Sequence, residues 1–99
     1  MMMKEGIIYK VINLITNEVY VGASTKRLID RQYDHIQKAT IKSNYKFHEA
    51  ISTYGPDSFH WIQIDTATSI NELAKKEIEY IAEYNSKDSG YNSDKGGGF

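Results

Sequence analysis

The last predicted helix carries a carboxylate on its apolar face. Apolar residues recur there at helical spacing, and the stripe comprises Ile70, Leu73, Ala74, Ile78, Ile81 and Tyr84. Glu77 lies within the stripe, whereas Glu79 and Glu83 fall on the outer face. A carboxylate that faces a core is costly unless a cation or several donors satisfy it. Glu77 is therefore predicted to be either half of a buried ion pair or a metal ligand in a cleft.

An arginine and a histidine share one face of the first predicted helix. Arg31 and His35 are four residues apart, which is one helical turn. Together they could hold a phosphate and carry a proton. The alternative is a half-buried His bonded to a backbone carbonyl beside an Arg that reaches out to solvent.

Two tyrosines stand on the first two predicted strands. Tyr9 and Tyr20 would come close together if those strands form a hairpin. Such pairs are usually packing residues. A catalytic phenol would need a nearby cation or hydrogen-bonded partner, because its ordinary pKa is near 10.

The N-terminal half predicts a β-hairpin followed by a helix. Residues 6–13 and 19–22 are rich in β-branched and aromatic side chains, and Thr16-Asn17-Glu18 separates them. Residues 23–25 resemble a cap that leads into a helix from about Lys26 to Ala39.

Three further elements complete the predicted fold. A short helix ends at Tyr54, before Gly55 and Pro56, and Gly55 is expected to adopt a left-handed cap conformation. A strand follows over residues 58–65, and Ser69 and Glu72 are spaced as a capping box for a helix that runs to about Tyr84. The order β-β-α-α-β-α predicts an α+β fold, a small three-stranded antiparallel sheet flanked by three helices, in one domain over residues 1–99.

Composition is that of a globular protein with no predicted membrane contact. Of the 99 residues, 40% are hydrophobic and 25% charged, and no run approaches a membrane span. The chain has no cysteine, which fits the cytoplasm of a bacterium or of a phage-infected cell.

Positive charge is concentrated in one segment. Between Lys26 and Lys46 there are six cations and two acids, a local charge of +4 that leaves −5 on the rest of the chain. Besides Arg31, the cations are Lys26, Arg27, Lys38, Lys42 and Lys46. They are candidate contacts for a DNA backbone, and the alternative is a solvated helix face.

Five motifs, in order, resemble the GIY-YIG endonucleases, most closely the catalytic domain of phage intron-encoded homing endonucleases. The match comprises Ile7-Ile8-Tyr9, Tyr20-Val21-Gly22, Arg31-x-x-x-His35, Glu77 and Gly90-Tyr91-Asn92. Ile7 replaces the first Gly of the signature and Val21 its second Ile. Lys42 stands where some relatives carry a further His, and His48, in the short helix, is assigned no role.

The resemblance implies a divalent-metal-dependent DNA endonuclease. Glu77 would bind one Mg²⁺ or Mn²⁺ ion and Arg31 would neutralise the scissile phosphate. Tyr9 would deprotonate or orient the attacking water, and His35 would help to take up its proton. Tyr20 would position Tyr9 and the water. Asn92 would shape the edge of the site. A separate DNA-recognition domain or partner is expected to supply affinity, and the alternative function is a non-catalytic DNA-binding module that retains the fold.

Overall fold

The structure, a computed structural model, describes residues 6–40, 46–93 and 96. Its elements follow the predicted order. They are β1 (Gly6–Asn13), β2 (Val19–Ser24), α1 (Leu28–Thr40), α2 (Lys46–Tyr54), a 3-10 turn (Pro56–Ser58), β3 (Phe59–Ala67) and α3 (Ile70–Tyr84). The predicted fold class, a three-stranded antiparallel sheet with three helices, is confirmed.

β1 is the central strand of the sheet, in the order β2-β1-β3, and both pairings are antiparallel. The predicted β1–β2 hairpin is therefore confirmed. Asn17 at its turn has a φ of 65°, which asparagine tolerates better than most residues. The Asn13 side chain, fully buried, accepts the backbone N–H groups of Ile15 and Thr16 and so holds the turn.

Alternation along β1 divides the core between two faces. Tyr9 and Val11 join a cluster with Phe47 and Ile51 of α2, and Ile8 joins a cluster with Leu73 of α3. Both faces of β1 are buried because helices cover the sheet on each side. The side chains of β1 can therefore meet those of α1 and α2 on one face.

Helix and strand ends differ from the predictions by a few residues. α1 begins at Leu28 rather than Lys26, and β2 and β3 each extend two residues further than expected. Ser69 caps α3 as predicted by accepting Glu72 N–H at 3.1 Å. The Glu72 carboxylate, however, accepts from Thr68 N–H at 3.2 Å, so the capping box is not reciprocal.

Two predictions about conformation and burial were wrong. Gly55 has φ 85° and ψ 147°, outside the left-handed helical region, because a residue before proline is pushed towards extended ψ. Ile70 and Ile78 of α3 are 47% and 40% exposed, so the buried stripe is narrower than the sequence pattern and centres on Leu73 and Ile81.

No helix in the described ranges is both long enough and apolar enough to span a bilayer.

Candidate active site

A pocket of about 280 Å³ opens between the helices and the segment that follows α3. Tyr20, Arg31, His35 and Glu77, four of the residues predicted for the site, line it. They come from β2, α1 and α3, three elements that are far apart in sequence. Asn92 and Lys38 also line this pocket. The fold thus brings a guanidinium, an imidazole, a phenol and a carboxylate to one cavity.

His35 is buried and its ring is bonded on both nitrogens. The Tyr9 hydroxyl lies 2.8 Å from Nε2, and Arg31 Nη2 lies 3.4 Å from the same atom. Nδ1 lies 2.9 Å from Nε2 of His48. The alternative of a half-buried His35 bonded to a backbone carbonyl is therefore wrong, since His35 is buried and other side chains contact both of its ring nitrogens.

Arg31 bridges the pocket and the surface of α1. Its side chain is 21% exposed, and Nη1 lies 3.3 Å from Asp34 Oδ2. Asp34 is also paired with Lys26, at 3.0 Å. The Arg31 guanidinium is thus held towards His35 while one edge faces the cavity.

Tyr9 is fully buried and does not line the pocket. Its ring and that of Tyr20 have centroids 6.2 Å apart, so the hairpin brings the two phenols together as expected. Tyr9 lies opposite Gly22 in the sheet, and a Cβ on Gly22 would fall 2.2 Å from Tyr9 Cζ. Gly22 therefore leaves the space that the Tyr9 ring occupies, and the hydroxyl reaches His35 from behind the cavity wall.

Burial controls the protonation of the buried groups. It raises the pKa of Tyr9, which the Arg31 charge opposes, and it also raises the pKa of Tyr20. Burial, followed by the Arg31 charge, lowers the pKa of His35 to about 3. At neutral pH the site therefore contains two neutral phenols and a neutral imidazole beside a guanidinium cation.

Glu77 has the chemistry expected of a magnesium ligand. Among the described residues it is the one carboxylate that lines the pocket. The backbone of Gly96 lies close to the Glu77 carboxylate, since a Cβ on Gly96 would stand 3.0 Å from Glu77 Oε1. Glycine has no side chain, so this approach is possible. In the part of the chain that the structure describes, no three or more His, Cys, Asp or Glu side chains are grouped so that they could hold a metal ion. A single carboxylate in a roomy cavity suits Mg²⁺, which retains most of its waters.

The predicted DNA contacts are spread over two helices and the loop before α1. Lys38 lines the pocket. Arg27, exposed, pairs with Asp30 at 3.0 Å, as Lys26 does with Asp34. Lys46 is exposed, and Lys42 lies outside the described residues.

Sequence reasoning missed His48, which also lines the pocket and is 5% exposed. It stands three residues before Ile51, on the buried face of α2. That helical spacing could have indicated that His48 is buried. It could not indicate the contact with His35, which is thirteen residues away in sequence and belongs to another helix.

Comparisons with known sequences give a relative from a virus. No protein-family model matches the sequence. The chain is 31% identical over 86 residues to uncharacterized protein 019R of invertebrate iridescent virus 6, a match that covers 85% of this chain and 31% of that protein's length.

Two solved structures are similar over most of their length. The catalytic domain of homing endonuclease I-TevI matches with a TM-score of 0.73 and 25% identity, over 88% of this chain and 96% of that one. A mutant catalytic domain of intron endonuclease I-TevI matches with a TM-score of 0.80 and 23% identity, over 92% and 95%. The chain has the GIY-YIG fold. The resemblance predicted from the motifs is thus confirmed at the level of structure.

Asn92 bonds the backbone of the edge strand β2. Its Oδ1 accepts Val21 N–H and its Nδ2 donates to Val21 C=O, each at 2.8 Å. Tyr91 N–H donates to Val19 C=O at 2.9 Å, and a Cβ on Gly90 would fall 2.3 Å from that oxygen. The Gly-Tyr-Asn segment therefore lies along β2 and holds the strand that carries Tyr20.

Replacing Asn92 by Asp should destabilise the fold by about 2–4 kcal/mol. The carboxylate keeps the shape but cannot donate to Val21 C=O, which leaves a buried carbonyl facing negative charge. Urea unfolding measures the effect. The control, Asn71→Asp at an exposed position of α3, should stay within about 0.5 kcal/mol of wild type. A loss below that value for Asn92→Asp would show that the amide does not hold β2.

Proposed function

We propose that this domain hydrolyses phosphodiester bonds in DNA, using one Mg²⁺ or Mn²⁺ ion bound by Glu77. The observation that supports the proposal is the cavity that unites Arg31, His35 and Glu77 with Tyr20, on the fold of an intron endonuclease's catalytic domain. In the reaction a water oxygen attacks phosphorus and the bond to the 3′ oxygen breaks. The products are a 5′-phosphate and a 3′-hydroxyl.

Arg31 is the group that binds the scissile phosphate. The fork of its guanidinium matches two phosphate oxygens, and its charge opposes the negative charge that accumulates as phosphorus becomes five-coordinate. To do so it turns from Asp34 and His35, which lie 3.3 and 3.4 Å away. Both contacts are long enough to be exchanged for a phosphate.

That movement activates Tyr9 and His35. The Arg31 cation is one cause of the low pKa of His35, so pairing it with an anionic phosphate makes the imidazole more basic. Arg31 is also a hydrogen-bond partner of the buried Tyr9 hydroxyl, so its departure lets the water reach that group behind the cavity wall. With the Tyr9 hydroxyl, 2.8 Å from His35 Nε2, as the donor of that bond, the water proton passes to the Tyr9 oxygen while the phenol proton moves to the imidazole. Tyr20, in the cavity wall, orients the water.

Glu77 would hold the metal, which would supply a positive charge to polarise the phosphate and stabilise the departing oxygen. Asn92 contributes by holding β2 in place.

DNA affinity in this domain is expected to be weak. The net charge is −1, and Lys26 and Arg27 already neutralise acids. The remaining proposed contacts to the DNA backbone are Lys38, which lines the pocket, Lys42 and Lys46. We infer that a separate recognition domain or partner supplies the rest, because affinity for DNA depends on the number of phosphates neutralised.

The test is cleavage of supercoiled plasmid with Mg²⁺, with Mn²⁺, or with excess chelator. We expect nicked or linear DNA in the first two reactions and none in the third. DNA ligase should reseal the nicks without prior phosphorylation, because the ends are 5′-phosphate and 3′-hydroxyl. A mock preparation, purified in the same way from cells that do not express the protein, serves as the blank for contaminating nucleases. Binding without cleavage would instead identify a non-catalytic DNA-binding module.

A further inference from the structure

The proton-transfer pair proposed for the site continues into a second histidine. His48 of α2 is buried, and its Nε2 lies 2.9 Å from Nδ1 of His35. Tyr9, His35 and His48 thus form a chain of hydrogen bonds that joins β1, α1 and α2. Tyr9 and His35 have roles in the proposed proton transfer, whereas His48 has none so far.

The partners of His35 determine which of its nitrogens carries the proton. A guanidinium has no acceptor atom, so the contact of Arg31 with Nε2 requires that this nitrogen accept. Tyr9 then donates to the same atom. A neutral imidazole has one N–H, and it must therefore stand on Nδ1 and point at His48. Burial lowers the pKa of His35 to about 3, so the ring is neutral at working pH.

Without an acceptor at Nδ1, this tautomer would bury an unsatisfied donor. The ring would then favour the opposite tautomer, in which Nε2 carries the proton. That N–H would face the Arg31 guanidinium, and Nε2 could no longer receive the Tyr9 proton.

We propose that His48 is a positioning residue that accepts the Nδ1–H of His35. It thereby keeps Nε2, the nitrogen that faces Tyr9, unprotonated and able to accept. The catalytic part of this inference rests on the proposed nuclease function. His48 reaches the reaction through His35, and its role is that of a hydrogen-bond acceptor.

Two substitutions at His48 distinguish a hydrogen-bond acceptor from a group that takes up a proton and from a residue with no effect on His35. In His48→Gln the side-chain oxygen can take the place of Nε2 and accept the same N–H, but it takes up no proton. In His48→Leu no acceptor is present. His60→Leu, at an exposed histidine of β3, is the matched control. Nitrogen-15 NMR of the His35 ring reports the tautomer, and plasmid cleavage with Mg²⁺ reports kcat and KM.

We expect the Nδ1–H tautomer in wild type, His48→Gln and His60→Leu, and its loss in His48→Leu. The kcat of His48→Leu should fall about 10–100-fold, by analogy with the loss of a hydrogen-bond partner that orients a metal-bound histidine. KM should stay unchanged, and His48→Gln should retain activity within about 5-fold of wild type.

Three results would overturn the proposal. The first is an Nε2–H tautomer in wild type, which decides the matter even if His48→Leu fails to fold. The second is an unchanged tautomer in His48→Leu. The third is loss of activity in His48→Gln with the tautomer preserved, which would make His48 a proton acceptor. If wild type does not cut DNA while the tautomers behave as expected, the proposed function fails and the structural role of His48 stands.

Discussion

Replacing Glu77 by Gln is expected to lower the Mg²⁺-dependent rate of DNA cleavage about 10³-fold or more. Gln keeps the size of the side chain but not the charge that holds a divalent ion. A metal contributes several kcal/mol to stabilising the transition state, and about 4 kcal/mol corresponds to a factor of about 10³. Plasmid cleavage under single-turnover conditions measures the rate.

Glu83→Gln is the matched control for this experiment. It makes the same chemical change on the same helix at an exposed position, and we expect cleavage at the wild-type rate. Urea unfolding of both variants tests that the fold is intact. Equal rates for Glu77→Gln and wild type, in purified and folded protein, would remove Glu77 from the metal site.

Replacing Arg31 by Ala should lower kcat about 10²–10³-fold, the usual cost of losing one donor that stabilises transition-state charge. Arg31→Lys should recover only part of this loss, because an ammonium keeps the charge without the planar fork. Arg27→Ala is the control: its side chain is 80% exposed and its pairing with Asp30 lies on the surface. We expect its activity to stay within a few-fold of wild type.

Arg31→Ala is also expected to change the pKa of His35. The Arg31 charge is the second cause, after burial, of the low pKa of His35, so its removal should raise that pKa. Because burial remains, the pKa should stay below its ordinary value of 6.5. NMR titration of the His35 ring follows the change. An unchanged pKa together with full activity would contradict the role assigned to Arg31.

The order of the elements follows from local patterns in the sequence. β1 was predicted with its observed bounds, and Ser69 was identified as the cap of α3. Such features depend on neighbours a few residues away, through alternation, helical spacing and capping. The ends of β2 and β3 were less accurate because strand length depends on pairing with a partner strand.

Local patterns also predicted some of the side chains of the proposed site. Glu77 was identified because a carboxylate on an apolar stripe is anomalous, and it lines the cavity. Arg31 and His35 were paired correctly because helical spacing places them one turn apart. Their proposed roles came from the resemblance to a family and stay predictions.

Sequence by itself determined which chemical groups this protein carries, the order of its strands and helices, and which helical face each group shares. Tertiary structure alone decided that His48 lies within hydrogen-bond distance of His35, that Asn92 bonds the backbone of Val21, and that Tyr9 lies behind the pocket over Gly22. Each of these contacts joins residues from different elements, and its geometry depends on how the helices pack on the sheet. A one-dimensional pattern encodes spacing within an element, whereas hydrogen bonds between elements depend on distances that only packing sets.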